Sequence, residues 1–139
     1  MVLAKILLVT GSLILLLLGG IHLVYTFLTN KFLPRAGNLE KDMKNSYPIL
    51  TRRTTMWKAW VGFNASHSLG GIFFGTMNIY VCLSFYPEIL QSIGYFSINI
   101  CTLVFYSWLA VKYWFSIPRN GIFISLICFI AAAVISVAN

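Results

Sequence analysis

Polar and apolar positions along this chain segregate on the scale of a bilayer rather than of a helix turn. Four stretches without a charged side chain, Ile6 to Asn30, Ala59 to Pro87, Ile89 to Val111 and Asn120 to Asn139, occupy most of its 139 residues. A hydrocarbon core of about 30 Å takes roughly 20 apolar residues of α-helix at 1.5 Å each. Each stretch therefore predicts a membrane-spanning helix, with spans at 6–29, 57–85, 89–115 and 120–138. Pro34 marks the exit from the first, because proline cannot continue a helix past its own first turn. Asn38 is placed to cap a short amphipathic turn in which Leu39, Met43 and Tyr47 face the membrane while Glu40, Lys41 and Lys44 face water. Pro48 closes that turn, and Thr51 or Thr54 can cap the second span. Tyr86-Pro87-Glu88 and Pro118-Arg119-Asn120-Gly121 are the remaining turns. Connections this short force neighbouring helices to run antiparallel. The predicted fold is all-α: an up-down-up-down, integral-membrane four-helix bundle in a single domain, with a short interfacial amphipathic turn between spans one and two.

Within the spans, the few polar residues recur at helical intervals. Asn64, His67, Gly71, Gly75 and Asn78 share one face of span two, beside a small-residue stripe of Gly62, Ser66 and Gly70. Span one carries Ser12, Gly19, His22, Thr26 and Thr29, span three Tyr95, Asn99, Thr102 and Tyr106, and span four Ser125, Cys128, Ala132 and Ser136. Lipid does not reward such groups, so these faces are expected to turn toward protein and let helices approach closely.

Composition fits this picture. Hydrophobic residues make up 59% of the chain and charged ones 9%, against about a quarter charged in soluble domains. The net charge of +7 is a matter of topology, not of nucleic-acid binding: Lys31, Arg35, Lys41, Lys44, Arg52, Arg53 and Lys58 all lie between the first two spans. Cytoplasmic loops collect Lys and Arg. Loops 30–57 and 112–120 are accordingly placed in the cytoplasm and both termini outside, with Lys5 dissenting. The first apolar run is too long for a signal-peptide core and lacks an A-x-A-like cleavage site, so an uncleaved span is expected. Cys82, Cys101 and Cys128 fall in three different spans with no C-x-x-C pair and read as small apolar residues.

Candidate chemistry centres on two histidines. By helical rise, His22 lies roughly 10 Å and His67 roughly 16 Å from the basic side, close enough for the two to meet at one level. The simplest reading gives each imidazole an interhelical hydrogen bond to Asn64, Tyr25, Asn99 or a backbone carbonyl. A second makes them a proton-handling or ligand-orienting pair, since histidine alone among the span residues titrates near neutrality. A third uses His22 and His67 as axial ligands of a b-type haem, with glycines clearing space for the macrocycle. No span contains Asp or Glu, and H-E-x-x-H, G-x-S-x-G and phosphate-loop motifs are absent, which weighs against a metal hydrolase or an ion-coupled transporter. Ser66 and Ser68 flank His67 on other helix faces, a poor geometry for a catalytic dyad, so no catalytic residue and no metal site is assigned. Outside the spans, Arg52, Arg53 and Lys58 beside Trp57 and Trp60 can grip anionic lipid headgroups.

The order His22-Leu23-x-Tyr25-Thr26-Phe27, Leu33-Pro34-Arg35, then Thr54-Thr55-Met56-Trp57-Lys58-Ala59-Trp60-x-Gly62-Phe63-Asn64-Ala65-Ser66-His67-Ser68-Leu69-Gly70 and Phe74-Gly75 resembles a family of small uncharacterised bacterial four-span integral membrane proteins. The likeness covers spans one and two and their loop. It lends no activity; what it implies is a multi-pass protein of a bacterial inner membrane, with Trp57 to Gly75 as the segment to mutate. The expected function is therefore a small-ligand- or lipid-binding subunit, or an accessory subunit of a larger membrane complex, rather than an enzyme. Its ligand site would comprise His22, Tyr25, Thr26, Asn64, His67 and Gly71. A haem-carrying redox subunit and a lipid- or isoprenoid-modifying enzyme are the alternatives. Expected partners are membrane lipids and either further copies of the chain or a larger membrane complex.

Overall fold

The computed structural model describes residues 2–138 and contains six helices and no strand among them: α1 (Val2–Leu28), α2 (Gly37–Asn45), α3 (Met56–Ser84), α4 (Tyr86–Leu90), α5 (Ile93–Tyr113) and α6 (Ser116–Val137). Three of them, α1, α5 and α6, are long and apolar enough to cross a membrane. At 29 residues α3 has the length but not the same apolarity, because Lys58, Asn64, His67 and Asn78 lie along it. Four apolar spans were expected, and three meet the requirement on composition.

The helix ends differ from the expected ones for identifiable reasons. Pro118 does not break the chain at the fourth span; it sits in the first turn of α6, where backbone N–H groups have no intrahelical acceptor in any case. The α5–α6 turn is consequently Trp114–Phe115, which leaves the two helices adjacent and antiparallel. The third stretch is not one helix from residue 89. It opens with the short α4, breaks at Gln91, and restarts where Ser92 accepts a hydrogen bond from the Tyr95 N–H at 3.2 Å. Asn38 does not cap α2, because the helix already begins at Gly37 and the capping position falls on Ala36, without a side-chain bond. Thr55, not Thr51 or Thr54, caps α3 by accepting from the Lys58 N–H at 3.3 Å.

The residues gather into two compact units, one formed by the chain up to Leu18 together with Gly71 onward, the other by Gly19–Gly70. In the first unit, small and polar side chains face inward. The buried face of α1 is Ala4, Leu8, Gly11, Ser12 and Leu15, and that of α5 is Phe96, Asn99, Leu103, Ser107 and Ala110. On α6 it is Ile122, Ser125, Cys128, Phe129 and Ala132. Close approach is possible because glycine meets backbone: a Cβ on Gly75 would stand 2.6 Å from the Ser12 carbonyl oxygen. Ser125 Oγ donates to the Gly11 carbonyl at 2.9 Å, tying α6 to α1. Between α3 and α5, Asn78 Nδ2 donates to Asn99 Oδ1 at 2.8 Å and Tyr95 Oη donates to Asn78 Oδ1 at 2.8 Å. Asn78 and Asn99 also donate to the carbonyls of Phe74 and Tyr95, four residues earlier on their own helices. Both buried amides thus find partners, which removes most of their cost in an apolar surrounding.

Large apolar side chains point outward instead. On α1, Leu13, Leu17, Ile21, Val24 and Leu28 are exposed at intervals of three and four. Phe63 and Phe73 on α3, Ile98 and Phe105 on α5, and Ile124 and Ile127 on α6 do the same. A surface of this kind is costly in water and free of cost in lipid.

Candidate functional site

The Gly19–Gly70 unit holds the end of α1, α2 and the beginning of α3. Leaving α1, the chain turns with the Leu33 N–H bonded to the Asn30 carbonyl at 3.2 Å, which swings Phe32 back under the helix end. Its ring lies 4.5 Å from that of His22 and 6.4 Å from that of Tyr25. From α3, Asn64 Oδ1 meets His22 Nε2 at 3.1 Å while Asn64 Nδ2 donates to the Trp60 carbonyl at 2.8 Å. The second bond fixes which way the amide faces. Its oxygen must then accept, so His22 Nε2 carries the hydrogen of this bond. His67 follows one turn after Asn64, and its ring meets that of His22 edge-on, with centroids 5.4 Å apart and planes at 77°. Phe63 lies nearly parallel to His67 at 6.2 Å.

The structure thus brings His22, Asn64 and His67 into direct contact. Thr26 bonds back to the His22 carbonyl at 2.8 Å and, with Thr29, Phe32, Leu33, Trp57, Trp60, Val61 and Asn64, lines a cavity of about 30 Å³. That is room for one water among hydroxyl and amide groups, not for an acyl chain. Tyr25 is 38% exposed and its ring meets that of Phe32, and Gly71 falls in the other unit. Phe32 and Phe63 were not anticipated, although Phe63 precedes His67 by four residues, a spacing that places two rings on one helix face.

A haem between the imidazoles does not fit this arrangement. Two axial ligands of one haem stand on opposite faces of the macrocycle, which keeps their rings apart. Here the rings touch, and His22 Nε2 is engaged by Asn64.

The basic segment forms the rest of this unit. Glu40 accepts from Lys44 at 2.6 Å across one turn of α2, and Lys44 Nζ also lies 5.4 Å from the Trp57 ring centre. Arg52, Arg53 and Lys58 are exposed and have no carboxylate partner among the described residues; Trp57 is half-buried and Trp60 exposed. Between residues 31 and 58 there are seven basic and two acidic side chains, a surplus of five positive charges.

Comparison of the chain with protein-family models, with curated proteins and with solved structures finds no match in any of the three.

Proposed function

We propose that this chain is a four-span, multi-pass protein of a bacterial inner membrane, with α1, α3, α5 and α6 as an up-down-up-down bundle. Its role is that of a lipid-binding accessory subunit, which holds anionic headgroups with the segment between α1 and α3 and presents that segment to a larger membrane complex. The observation that carries this reading is the uncompensated charge of Arg52, Arg53 and Lys58 beside Trp57 and the exposed Trp60. Tryptophan prefers headgroup depth, and each Lys or Arg near an anionic surface contributes about 1 kcal/mol. Membership of α3 among the spans is supported by its pairing: Asn64 and Asn78, which lower its average apolarity, are both hydrogen-bonded to neighbouring elements. Loops 30–57 and 112–120 then face the cytoplasm and the termini the opposite side, following the distribution of Lys and Arg.

The test is lipid retention by native mass spectrometry on the full chain, comparing wild type with Arg52→Gln/Arg53→Gln/Lys58→Gln. Three lost charges are worth about 3 kcal/mol, so the variant should lose its preference for phosphatidylglycerol over phosphatidylcholine by up to roughly 100-fold at low salt. Equal retention by both proteins would overturn the reading.

A second reading is favoured by the contact between His22 and His67 beside a polar, water-sized cavity. There the pair would orient a proton or a very small ligand, with Asn64 holding the tautomer. Imidazole nitrogen NMR on the reconstituted protein should then find His22 with its hydrogen on Nε2, and Asn64→Leu should release it to exchange between the two nitrogens.

A further inference from the structure

The chain between α2 and α3 carries an apolar tip where soluble turns are polar. The Thr51 N–H bonds to the Pro48 carbonyl at 3.2 Å, which makes Pro48–Thr51 a tight turn with Ile49 and Leu50 at its two corners. Corner positions favour Asn, Asp, Gly and Ser, whose side chains bond locally or tolerate the backbone. Instead, Ile49 is 110% and Leu50 93% exposed. The base of the loop is closed by the Met56 N–H bonding to the Ser46 carbonyl at 2.9 Å, so the tip is held out rather than dangling. Immediately behind it, the Arg53 N–H bonds to Thr51 Oγ1 at 3.1 Å, which orders the start of the exposed Arg52-Arg53 pair.

We propose that the Pro48–Thr51 turn is a hydrophobic wedge seated in the headgroup layer of an anionic bilayer, with Ile49 and Leu50 below the phosphates and Arg52 and Arg53 level with them. An aliphatic pair one residue from two exposed guanidinium groups matches the depth profile of that layer, where phosphate oxygens overlie the first methylenes. Arginine suits phosphate through its planar fork of donors. The inference rests on the lipid-binding reading above and adds the element that enters the membrane.

The full chain bearing Leu50→Cys with an environment-sensitive fluorophore, in a Cys101→Ser background, provides the test. Cys82 and Cys128 are buried, which leaves the introduced thiol as the accessible one, and a label at exposed Asn38 serves as the control. In nanodiscs of phosphatidylcholine mixed with phosphatidylglycerol, the probe at position 50 should emit further to the blue than the control. It should be quenched several-fold more by doxyl-labelled lipid and several-fold less by aqueous acrylamide. Acrylamide access equal to that at position 38 would overturn the wedge. So would protection from acrylamide without quenching by doxyl lipid, which would mean that a second copy or a partner protein covers the tip. Lipid retention measured on the same samples separates the two ideas: a lipid-quenched probe with no anionic preference removes the lipid-binding function and leaves the wedge, and a water-accessible probe with intact preference does the reverse.

Discussion

Two glycines of α3 should respond to the same substitution with opposite signs. At Gly75 an added Cβ would stand 2.6 Å from the Ser12 carbonyl oxygen and 2.7 Å from both the backbone nitrogen and the Cβ of Leu16. Ordinary contacts are about 3.3–3.6 Å for carbon to oxygen and about 3.5–4.0 Å for carbon to carbon. The overlap is therefore about 0.7 Å or more, and two of the three atoms belong to the α1 backbone, which cannot rotate away. Moving α1 back by that distance would thin the contacts of Leu8, Ser12 and Leu15, all 2% exposed or less. Overpacking costs about 1–3 kcal/mol, and an unyielding backbone puts Gly75→Ala at about 3. Alanine returns about 1 kcal/mol of helix propensity, leaving a net loss of about 2. At Gly62 nothing lies within 4 Å of the added atom, so Gly62→Ala keeps the propensity gain of up to about 1 kcal/mol without the clash. The two variants should differ by about 3 kcal/mol, or roughly 12 °C in unfolding midpoint at about 4 °C per kcal/mol for a chain of this size. Thermal unfolding in detergent, followed by tryptophan fluorescence, reads the difference. A Gly75→Ala midpoint equal to or above that of Gly62→Ala would refute the close approach of α1 and α3. Gly121→Ala should fall between them, because its nearest contact at 2.7 Å is the flexible tip of Leu18.

A double-mutant cycle of Tyr95→Phe and Asn78→Ala should return a coupling of about 0.6 kcal/mol, and no more than about 1.7, as for other hydrogen bonds between membrane helices; additive effects in denaturant unfolding would show that the Tyr95 hydroxyl does not bond to Asn78. Asn64→Leu leaves the His22 Nε2–H without its acceptor and should destabilise by about 1–3 kcal/mol, while adding His22→Phe should recover part of that loss. An unfolding midpoint unchanged by Asn64→Leu alone would remove the bond from consideration. A reporter fused after Asn139 should be active only on the non-cytoplasmic side, and cytoplasmic activity would invert the proposed topology.

The helix faces were legible in part, because small and polar residues inside apolar helices have few places to go; the exception is the Gly62, Ser66 and Gly70 stripe, where Gly62 and Ser66 are exposed and nothing approaches Gly62 within 4 Å. Asn78 and Asn99 stood on separate predicted stripes and meet across α3 and α5, and Ser125 and Ala132 are buried on the face of α6 where spacing put them. Counting residues put the histidines near enough in depth to meet, but the ring contact itself depends on how α1 and α3 are rotated about their axes, which residue spacing does not supply. Nor does it supply the size of the adjoining cavity, which depends on Phe32 folding back and on the bulk of Trp57 and Trp60 rather than on any interval. Pro118 was misleading because a proline that ends one helix is indistinguishable in sequence from one that begins the next, and the decision lay with Trp114 and Phe115, which carry no turn signature. Ile49 and Leu50 carry no sequence signal for a different reason. Periodicity needs several turns of chain to register, and two aliphatic residues between Pro48 and Thr51 form no period at all. Their meaning comes from exposure, which only the fold supplies: the same Ile-Leu pair inside α1 is one more lipid-facing step, whereas at the corner of a closed loop beside two arginines it is apolar surface that water does not favour and a headgroup layer would accept.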